Sequence, residues 1–174
     1  MTHFINKQIS TLTSHLVFWP IFIIGFAADL ITKSVIFNWL NSRPSPCFDV
    51  IGGFFQLVVV ENRGAAWGMA AGKTMSLIVI SIVAMIIVFV FFLSSQKLQA
   101  VSVIALGMFA AGISGNLYDR AFNGGKVRDF LDFYYGDWHF PAFNIADSLL
   151  TIAVFLLILA TIFAPKPQSK TTGN

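Results

Sequence analysis

The amino-acid sequence predicts a membrane all-α bundle of four transmembrane helices with structured connections on one side of the membrane. Of the 174 residues, 56% are hydrophobic and only 11% are charged, whereas soluble domains average roughly 25% charged residues. The apolar residues also fall into four stretches, each close to the roughly 20 residues that cross a hydrocarbon core. We therefore expect a single integral membrane domain over residues 1–174, with lipid as its main solvent.

The first apolar stretch is interpreted as a retained span. A signal peptide is the alternative, because Lys7 precedes the stretch, but the stretch is long, carries Asp29 and Lys33 near its far end, and lacks a small-residue cleavage site. Spans two and three are joined by only a short turn, so the two long connections, residues 37–74 and 118–144, must share one side of the membrane. The four predicted spans cover residues 16–36, 75–93, 98–117 and 145–163.

The two sides of the membrane differ in charge. The positive-inside rule counts Lys and Arg near helix ends and gives little weight to acids. Of the eleven basic residues, four lie on the side of the short turn and seven on the side of the long connections. The rule alone thus opposes a cytoplasmic location for both termini, and that location rests on a family resemblance given below. All eight carboxylates lie on the side of the long connections: Asp29, Asp49, Glu61, Asp119, Asp129, Asp132, Asp137 and Asp147.

The long connections contain structured segments. Gly52 to Glu61, GGFFQLVVVE, is rich in aromatic and β-branched residues and predicts a strand, with Gly-Gly as its entry turn. Phe133 to Phe143 is too aromatic for a solvated loop and suits an interfacial loop or helix, because Trp and Tyr concentrate at the membrane surface. The polar tail from Lys166 to Asn174 is predicted to be disordered.

Composition argues against two classes of protein. The net charge of +3 and the pI near 9.2 would suit a nucleic-acid-binding protein. The basic residues, however, are scattered singly and form no cluster that binds phosphates. Cys47 is the single cysteine, and no Cys/His spacing matches a zinc site. We therefore expect no nucleic-acid partner, no metal and no cofactor.

Asp147 is the first candidate for chemistry. It lies three residues into span four, where helix-terminal amides and the positive end of the helix dipole favour a carboxylate. One interpretation is a helix-capping aspartate. The other is that Asn144 caps the helix, which would leave Asp147 free for a catalytic role.

Asp129, in KVRDFLDF, is the second candidate, and apolar Val127 and Phe130 flank it. A solvated loop acid is the alternative interpretation. Two carboxylates that face each other at low dielectric cannot easily both ionise, so they share a proton. Such a pair can activate water and protonate a leaving amine without a covalent intermediate.

Further polar residues fall near the same ends of the spans. Asp29 and Lys33 are four residues apart on one helical face, and we interpret them as a structural pair. Asn116 and Arg120 are also four apart, and Arg120 could bind a carboxylate or a lipid headgroup through its fork of donors. Small residues that permit close helix packing repeat in span three: Gly107, Ala111 and Gly115.

These segments together resemble the lipoprotein signal peptidases, also called signal peptidase II, a family of membrane aspartic proteases. They occur in the family's order across essentially the whole chain. The five matching pieces are D-x-x-x-K at Asp29 and Lys33, N-x-G-A-A-W/F-G at Asn62 to Gly68, G-N-L-x-D-R at Gly115 to Arg120, V-x-D-F at Val127 to Phe130, and F-N-x-A-D-S at Phe143 to Ser148.

The resemblance implies that Asp129 and Asp147 are the catalytic pair, near the outer membrane surface. Arg128 departs from the family pattern, in which a small apolar residue is common, and we expect its side chain to point to water. The resemblance further implies two sets of supporting residues. Asn62, Asn116, Arg120 and Asn144 would shape the site or hold substrate, and Asp29, Lys33, Gly64 and Asp119 would support the fold.

The resemblance also implies an activity and a location. Members of the family cleave the signal peptide of a prolipoprotein immediately before its diacylglyceryl-modified cysteine, and the cyclic peptide globomycin blocks them. A small extracytoplasmic sheet, to which the strand at 52–61 would belong, cradles the substrate. A monomer in the bacterial cell membrane with both termini in the cytoplasm is the expected arrangement.

Two other functions remain as alternatives to a protease. A small ion or proton carrier would also use intramembrane carboxylates, but it would place charges at mid-span, and spans two, three and four are free of charges at their centres. A structural or partner-binding subunit would use the same polar residues as caps and tethers. Substitution of Asp129 and Asp147 discriminates between these functions, because only the protease requires both aspartates for activity.

Overall fold

The protein is described by a computed structural model over residues 7–64, 73–95 and 97–163. Within these residues, four helices are long and apolar enough to cross a membrane, which confirms the predicted bundle. The helix at Thr11–Asn41 extends five residues beyond the predicted span at both ends, and the helix at Ala100–Phe122 ends five residues beyond its predicted end at Leu117. The helices are α1 (Thr11–Asn41), α2 (Thr74–Ser94), α3 (Ala100–Phe122) and α4 (Ile145–Ile162). The tail predicted to be disordered lies outside the described residues.

Helix α3 is the central helix of the bundle, because it packs against each of the other three. In its most apolar window 61% of the residues are buried, against 17% or less in the other helices. The predicted small residues provide the close approach to α1. A side-chain carbon added at Gly107 would lie 3.1 Å from the carbonyl oxygen of Phe18, so the two backbones could not approach as closely with a larger residue.

The apolar core lies at the end of the bundle that holds the start of α1 and the end of α2. Phe18 is fully buried, and its ring stacks on that of Phe92 with centroids 4.0 Å apart. Val103 and Leu106 of α3 pack into the same cluster. The candidate site residues lie at the opposite end of the bundle.

A four-stranded antiparallel sheet covers that opposite end. A separate two-stranded pair joins Gln8–Ile9 (β1) to Leu98–Gln99 (β4), so the residues at the start of predicted span three are extended and not helical. The strands of the larger sheet, in their spatial order, are β2 (Cys47–Ile51), β3 (Phe55–Asn62), β5 (Val127–Tyr135) and β6 (Trp138–His139).

The predicted strand forms as Phe55–Asn62, and the Gly-Gly pair lies in the turn before it, as predicted. Residues 52–54 make the turn between β2 and β3, and Gly53 has a φ of 78°, a conformation that favours glycine. The segment from Phe133 to Phe143, predicted to be an interfacial loop or helix, instead contains the end of β5 and a hairpin to β6.

The connections place two parts of the chain together at the sheet end. Helix α3 leads through residues 123–126 into β5, and β6 leads through residues 140–144 into α4. The backbone N–H of Phe143 donates to the carbonyl oxygen of Leu131 at 3.0 Å. This bond holds the start of α4 beside β5, so residues of these two elements face one another.

We expect Gly112→Ala to destabilise the protein. A side-chain carbon at Gly112 would lie 2.6 Å from the carbonyl oxygen of Ala146 and 2.7 Å from Leu150 Cγ. Overpacking of this kind costs about 1–3 kcal/mol, which exceeds the roughly 1 kcal/mol that alanine gains over glycine in a helix. The thermal unfolding midpoint in detergent should fall.

Gly52→Ala is the matched control, because nothing lies within 4 Å of an added carbon there. Its midpoint should equal that of the unsubstituted protein. A Gly112→Ala variant as stable as this control would contradict the close packing of α3 on α4.

Candidate active site

Asp129 lies on β5 and is 2% exposed, so it is not a solvated loop acid. Its Oδ1 accepts a hydrogen bond from Asn144 Nδ2 at 2.7 Å. Its Oδ2 accepts one from Asn62 Nδ2 at 3.1 Å. Each oxygen of this carboxylate is therefore held by a side-chain amide, one from β3 and one from the start of α4.

Asp147 lies in the first turn of α4, and its two oxygens have different partners. Oδ1 accepts from Asn116 Nδ2 at 2.8 Å, and Oδ2 accepts from the backbone N–H of Asn144 at 3.2 Å. Asn144 Oδ1 in turn accepts from the backbone N–H of Asp147 at 3.0 Å. Asn144 is thus the N-cap, as the second sequence interpretation proposed, but Asp147 completes the capping box and is not free of it.

Asn144 connects the two carboxylates. Its side chain is fully buried, and Nδ2 donates to Asn116 Oδ1 at 3.2 Å as well as to Asp129. Since its oxygen faces the N–H of Asp147, its nitrogen must face these acceptors. One amide therefore fixes the positions of Asp129, Asn116 and the first turn of α4.

A buried ion network lies behind the carboxylates, and the predicted Asp29–Lys33 pair is part of it. Lys33 Nζ lies 2.7 Å from Asp29 Oδ2 and 3.4 Å from Asp119 Oδ2, with all three side chains fully buried. It also donates to Asn116 Oδ1 at 3.1 Å. Asp29 Oδ1 accepts from the backbone N–H of Ala146 at 2.8 Å. The network consequently ties α1, α3 and the start of α4 together.

Arg128 does not point to water, so that expectation was wrong. Its Nη2 lies 2.7 Å from Asp119 Oδ1, and its Nη1 donates to Ser34 Oγ at 3.3 Å. Neighbouring residues of a strand point to opposite faces, which directs Arg128 away from the partners of Asp129. There it supplies Asp119 with a second cation beside Lys33.

Arg120 and Gly64 form one edge of the site. Arg120 Nη2 donates to the carbonyl oxygen of Gly64 at 3.1 Å, and the N–H of Gly64 donates to Asn62 Oδ1 at 2.8 Å. The arginine therefore holds the chain just after β3 in place. The remainder of the motif that ends at Gly68 lies outside the described residues.

The carboxylates of Asp129 and Asp147 line a cavity of about 640 Å³. One wall is polar and includes most of the residues singled out in the sequence. The other wall is apolar and comes from the segment before α4 and from α4 itself, which the sequence analysis did not assign to the site. The lining residues include Asn62, Asn116, Arg120, Asp129 and Asp147 on the polar side and Phe140, Pro141, Phe143, Leu150 and Ile152 on the apolar side.

The surroundings of Asp129 favour its protonated form. Burial, followed by the nearby Asp147 carboxylate, raises the pKa of Asp129 to about 7. The amides of Asn62 and Asn144 and the ammonium of Lys33 oppose this rise, because they favour the ionised form. Near neutral pH the pair can therefore hold one proton, as general acid–base chemistry requires.

Metal binding has no comparable support in the part of the chain that the structure describes. No group of three His, Cys, Asp or Glu side chains there could hold a metal ion.

The fold of the described residues, with four helices that are apolar enough to cross a membrane, is that of a multi-pass membrane protein. A solved structure described as a bacterial membrane enzyme is similar to this chain, with a TM-score of 0.77 and 32% identity over 97% of this chain and 99% of the other. A second structure described in the same words gives a TM-score of 0.71 and 34% identity over 90% of this chain and 97% of the other.

Residues 21–163 match the family described as Signal peptidase (SPase) II, and the chain belongs to this family of proteases. A lipoprotein signal peptidase of Sulfurihydrogenibium sp. (strain YO3AOP1) is 41% identical over 92% of this chain and 96% of its own length. Another, from Staphylococcus haemolyticus (strain JCSC1435), is 37% identical over 76% of this chain and 82% of its own length.

We expect Lys33→Met to be strongly destabilising. Methionine fills a similar volume but leaves the buried carboxylates of Asp29 and Asp119 without the ammonium that faces both. Removing one partner of a buried ion pair costs about 3–5 kcal/mol, which unfolding in detergent would measure as a lower midpoint.

Lys126→Met is the control, because Lys126 pairs with Glu61 at the surface, where both side chains are partly exposed. Its effect should stay below about 1 kcal/mol. Equal effects of the two substitutions would contradict a structural role for the buried network.

Proposed function

We propose that this protein is an aspartic endopeptidase that removes the signal peptide of prolipoproteins by cleaving immediately before the diacylglyceryl-modified cysteine. The observation that carries the proposal is the pair Asp129 and Asp147, which line one cavity and are linked through Asn144. Membership of the signal peptidase II family supports the same reaction, and the relatives named above are lipoprotein signal peptidases.

The two carboxylates would divide the proton transfers between them. Asp129 retains the shared proton because its pKa is raised to about 7. In the first step, water attacks the scissile carbonyl carbon, Asp147 takes a proton from the water, and Asp129 gives its proton to the carbonyl oxygen. In the second step, Asp129 takes a proton back from a hydroxyl of the gem-diol as the carbon–nitrogen bond breaks, and the proton held by Asp147 passes to the leaving amine of the cysteine.

The neutral donors of the polar wall would keep this geometry in place. Asn62 and Asn144 each hold one oxygen of Asp129, and Asn116 holds one oxygen of Asp147. A substrate can reach Asp147 without breaking these bonds, because a carboxylate oxygen accepts more than one hydrogen bond. Arg120 lines the same cavity and would counter negative charge that develops on the substrate.

The cavity suits a substrate that arrives from the membrane. The apolar wall, which consists of residues from Phe140 to Phe143 and of α4, would contact the lipid anchor or the signal helix. The polar wall would contact the scissile bond. Globomycin, a cyclic peptide, would block cleavage by occupying the same cavity. One chain supplies both aspartates, so a monomer suffices.

The proposed orientation places the sheet and the cavity at the extracytoplasmic surface of the bacterial cell membrane and both termini in the cytoplasm. This is the side on which the precursor's cysteine emerges from a translocated signal peptide. The charged groups that line the cavity favour a protease over a carrier, because Asp129 lies on β5 and Asp147 in the first turn of α4, both beside the sheet and not at mid-span.

We expect Asp129→Asn and Asp147→Asn each to lower kcat at least about 100-fold, because an amide can neither share the proton nor accept one from water. The assay follows the size shift of a diacylglyceryl-modified precursor in detergent. Asp137→Asn, at an exposed position of the β5–β6 turn, is the control and should cleave at the normal rate.

Each variant should remain monodisperse and should still bind the precursor, so that loss of cleavage is not loss of folding. Normal cleavage by either Asn variant would overturn the aspartic mechanism. Absence of cleavage by the unsubstituted protein would overturn the proposed reaction as a whole.

A further inference from the structure

A second groove, of about 560 Å³, adjoins the catalytic cavity. Phe140, Pro141 and Ala142 line both, so the two share this wall. On β3, Val60 lines the groove and Asn62 lines the cavity. These two residues are two apart in regular register with β5, so their side chains lie on the same face of the sheet. The groove is therefore a continuation of the cavity along the sheet.

Asp132 is the acidic residue of this groove and is 5% exposed. Its Oδ2 accepts from Gln56 Nε2 at 2.6 Å and contacts His139 Nδ1 at 2.8 Å. An ionised carboxylate can only accept, so His139 must donate here through its Nδ1–H. The other oxygen, Oδ1, is buried and accepts no hydrogen bond from the part of the chain that the structure describes.

A buried carboxylate oxygen without a donor is costly, and a partner that supplies a donor recovers that cost. The remaining walls of the groove decide which donor fits. They are apolar or aromatic and carry no Lys or Arg: Val58, Val60, Trp138, Phe140, Pro141 and Ala142. A long apolar stem that ends in a cation matches an apolar groove with one carboxylate.

We propose that this groove binds a Lys or Arg side chain of the precursor within the first residues after the cysteine, with Asp132 as the specificity-determining residue. The inference rests on the proposed function, because the cavity holds the scissile bond and the groove leads away from it. In the proposed orientation, the signal peptide extends from the cysteine back into the membrane. The polypeptide after the cysteine lies outside the membrane. The groove is lined by residues of β3 and β6, and the proposed orientation places these strands on that same side of the membrane.

The test uses a series of diacylglyceryl-modified precursors with glutamine at the first four positions after the cysteine, in which one position at a time is lysine. We expect lysine at one position to raise kcat/KM about tenfold over glutamine. Methionine at that position should gain much less, because it offers the stem without the charge. In Asp132→Asn the lysine preference should disappear, while the all-glutamine precursor is cleaved within about twofold of the normal rate.

Two further variants separate recognition from folding. Trp138→Lys places a competing ammonium at an exposed position of the groove and leaves the bonds of Asp132 intact, so it should also abolish the lysine preference. Asp49→Asn removes a different carboxylate of the sheet, which accepts from the hydroxyl of Tyr134. It should keep the preference.

The outcomes distinguish this inference from the proposed function. Cleavage of every precursor at the same rate, or equal loss on lysine and glutamine precursors in Asp132→Asn together with an unchanged preference in Trp138→Lys, would overturn the groove assignment alone. Failure of the unsubstituted protein to cleave any precursor would overturn the proposed function, and the groove assignment with it.

Discussion

The buried side-chain amide of Asn144 is the interaction on which the rest of the site depends. It caps α4 through its oxygen and binds Asp129 and Asn116 through its nitrogen. Neither half of this bonding can change alone, because flipping the amide would place its nitrogen against the N–H of Asp147 and its oxygen against Asp129. The same side chain therefore fixes both the N-terminal cap of α4 and the position of the Asp129 carboxylate on β5.

The ion network behind this amide explains how so many charges are buried at one end of a membrane bundle. Two acids, Asp29 and Asp119, alternate with two bases, Lys33 and Arg128. The set is neutral, and each member has at least one partner of opposite sign, which offsets the cost of burial. Asn116 then carries hydrogen bonding from Lys33 to Asp147. Full ionisation of Asp129 and Asp147 would add two negative charges next to this balanced set.

The helices could be predicted because they depend on local features of the sequence, whereas Asp129 and Asp147 were paired through the family resemblance. Four apolar stretches predicted four helices, and the sequence left two candidates for the cap of α4, Asn144 and Asp147, both of which take part in the capping box. Strand β3 was predicted from its composition. Pairing of β3 with β5 was not, because its partners are more than sixty residues apart and no local pattern records that distance.

The direction of side chains was the other feature that sequence could not supply. Arg128 was expected to point to water, and its partner Asp119 became evident only when β5 was placed against the end of α3. Asp132 was counted among the carboxylates but not assigned to a site. Its partners Gln56 and His139 lie on two other strands, so only the assembled sheet shows that one of its oxygens is buried without a donor.

Titration of Asp129 would test the central claim, that the two carboxylates share a proton near neutral pH. The carboxyl C=O stretching band that Asp129→Asn removes can be followed by infrared difference spectroscopy from about pH 2 to pH 9. The band should disappear with a midpoint near pH 7, because burial and Asp147 raise the pKa of Asp129 to about 7. In Asp147→Asn the midpoint should fall. A midpoint near 3.8, the ordinary value for an aspartate, would contradict the shared proton.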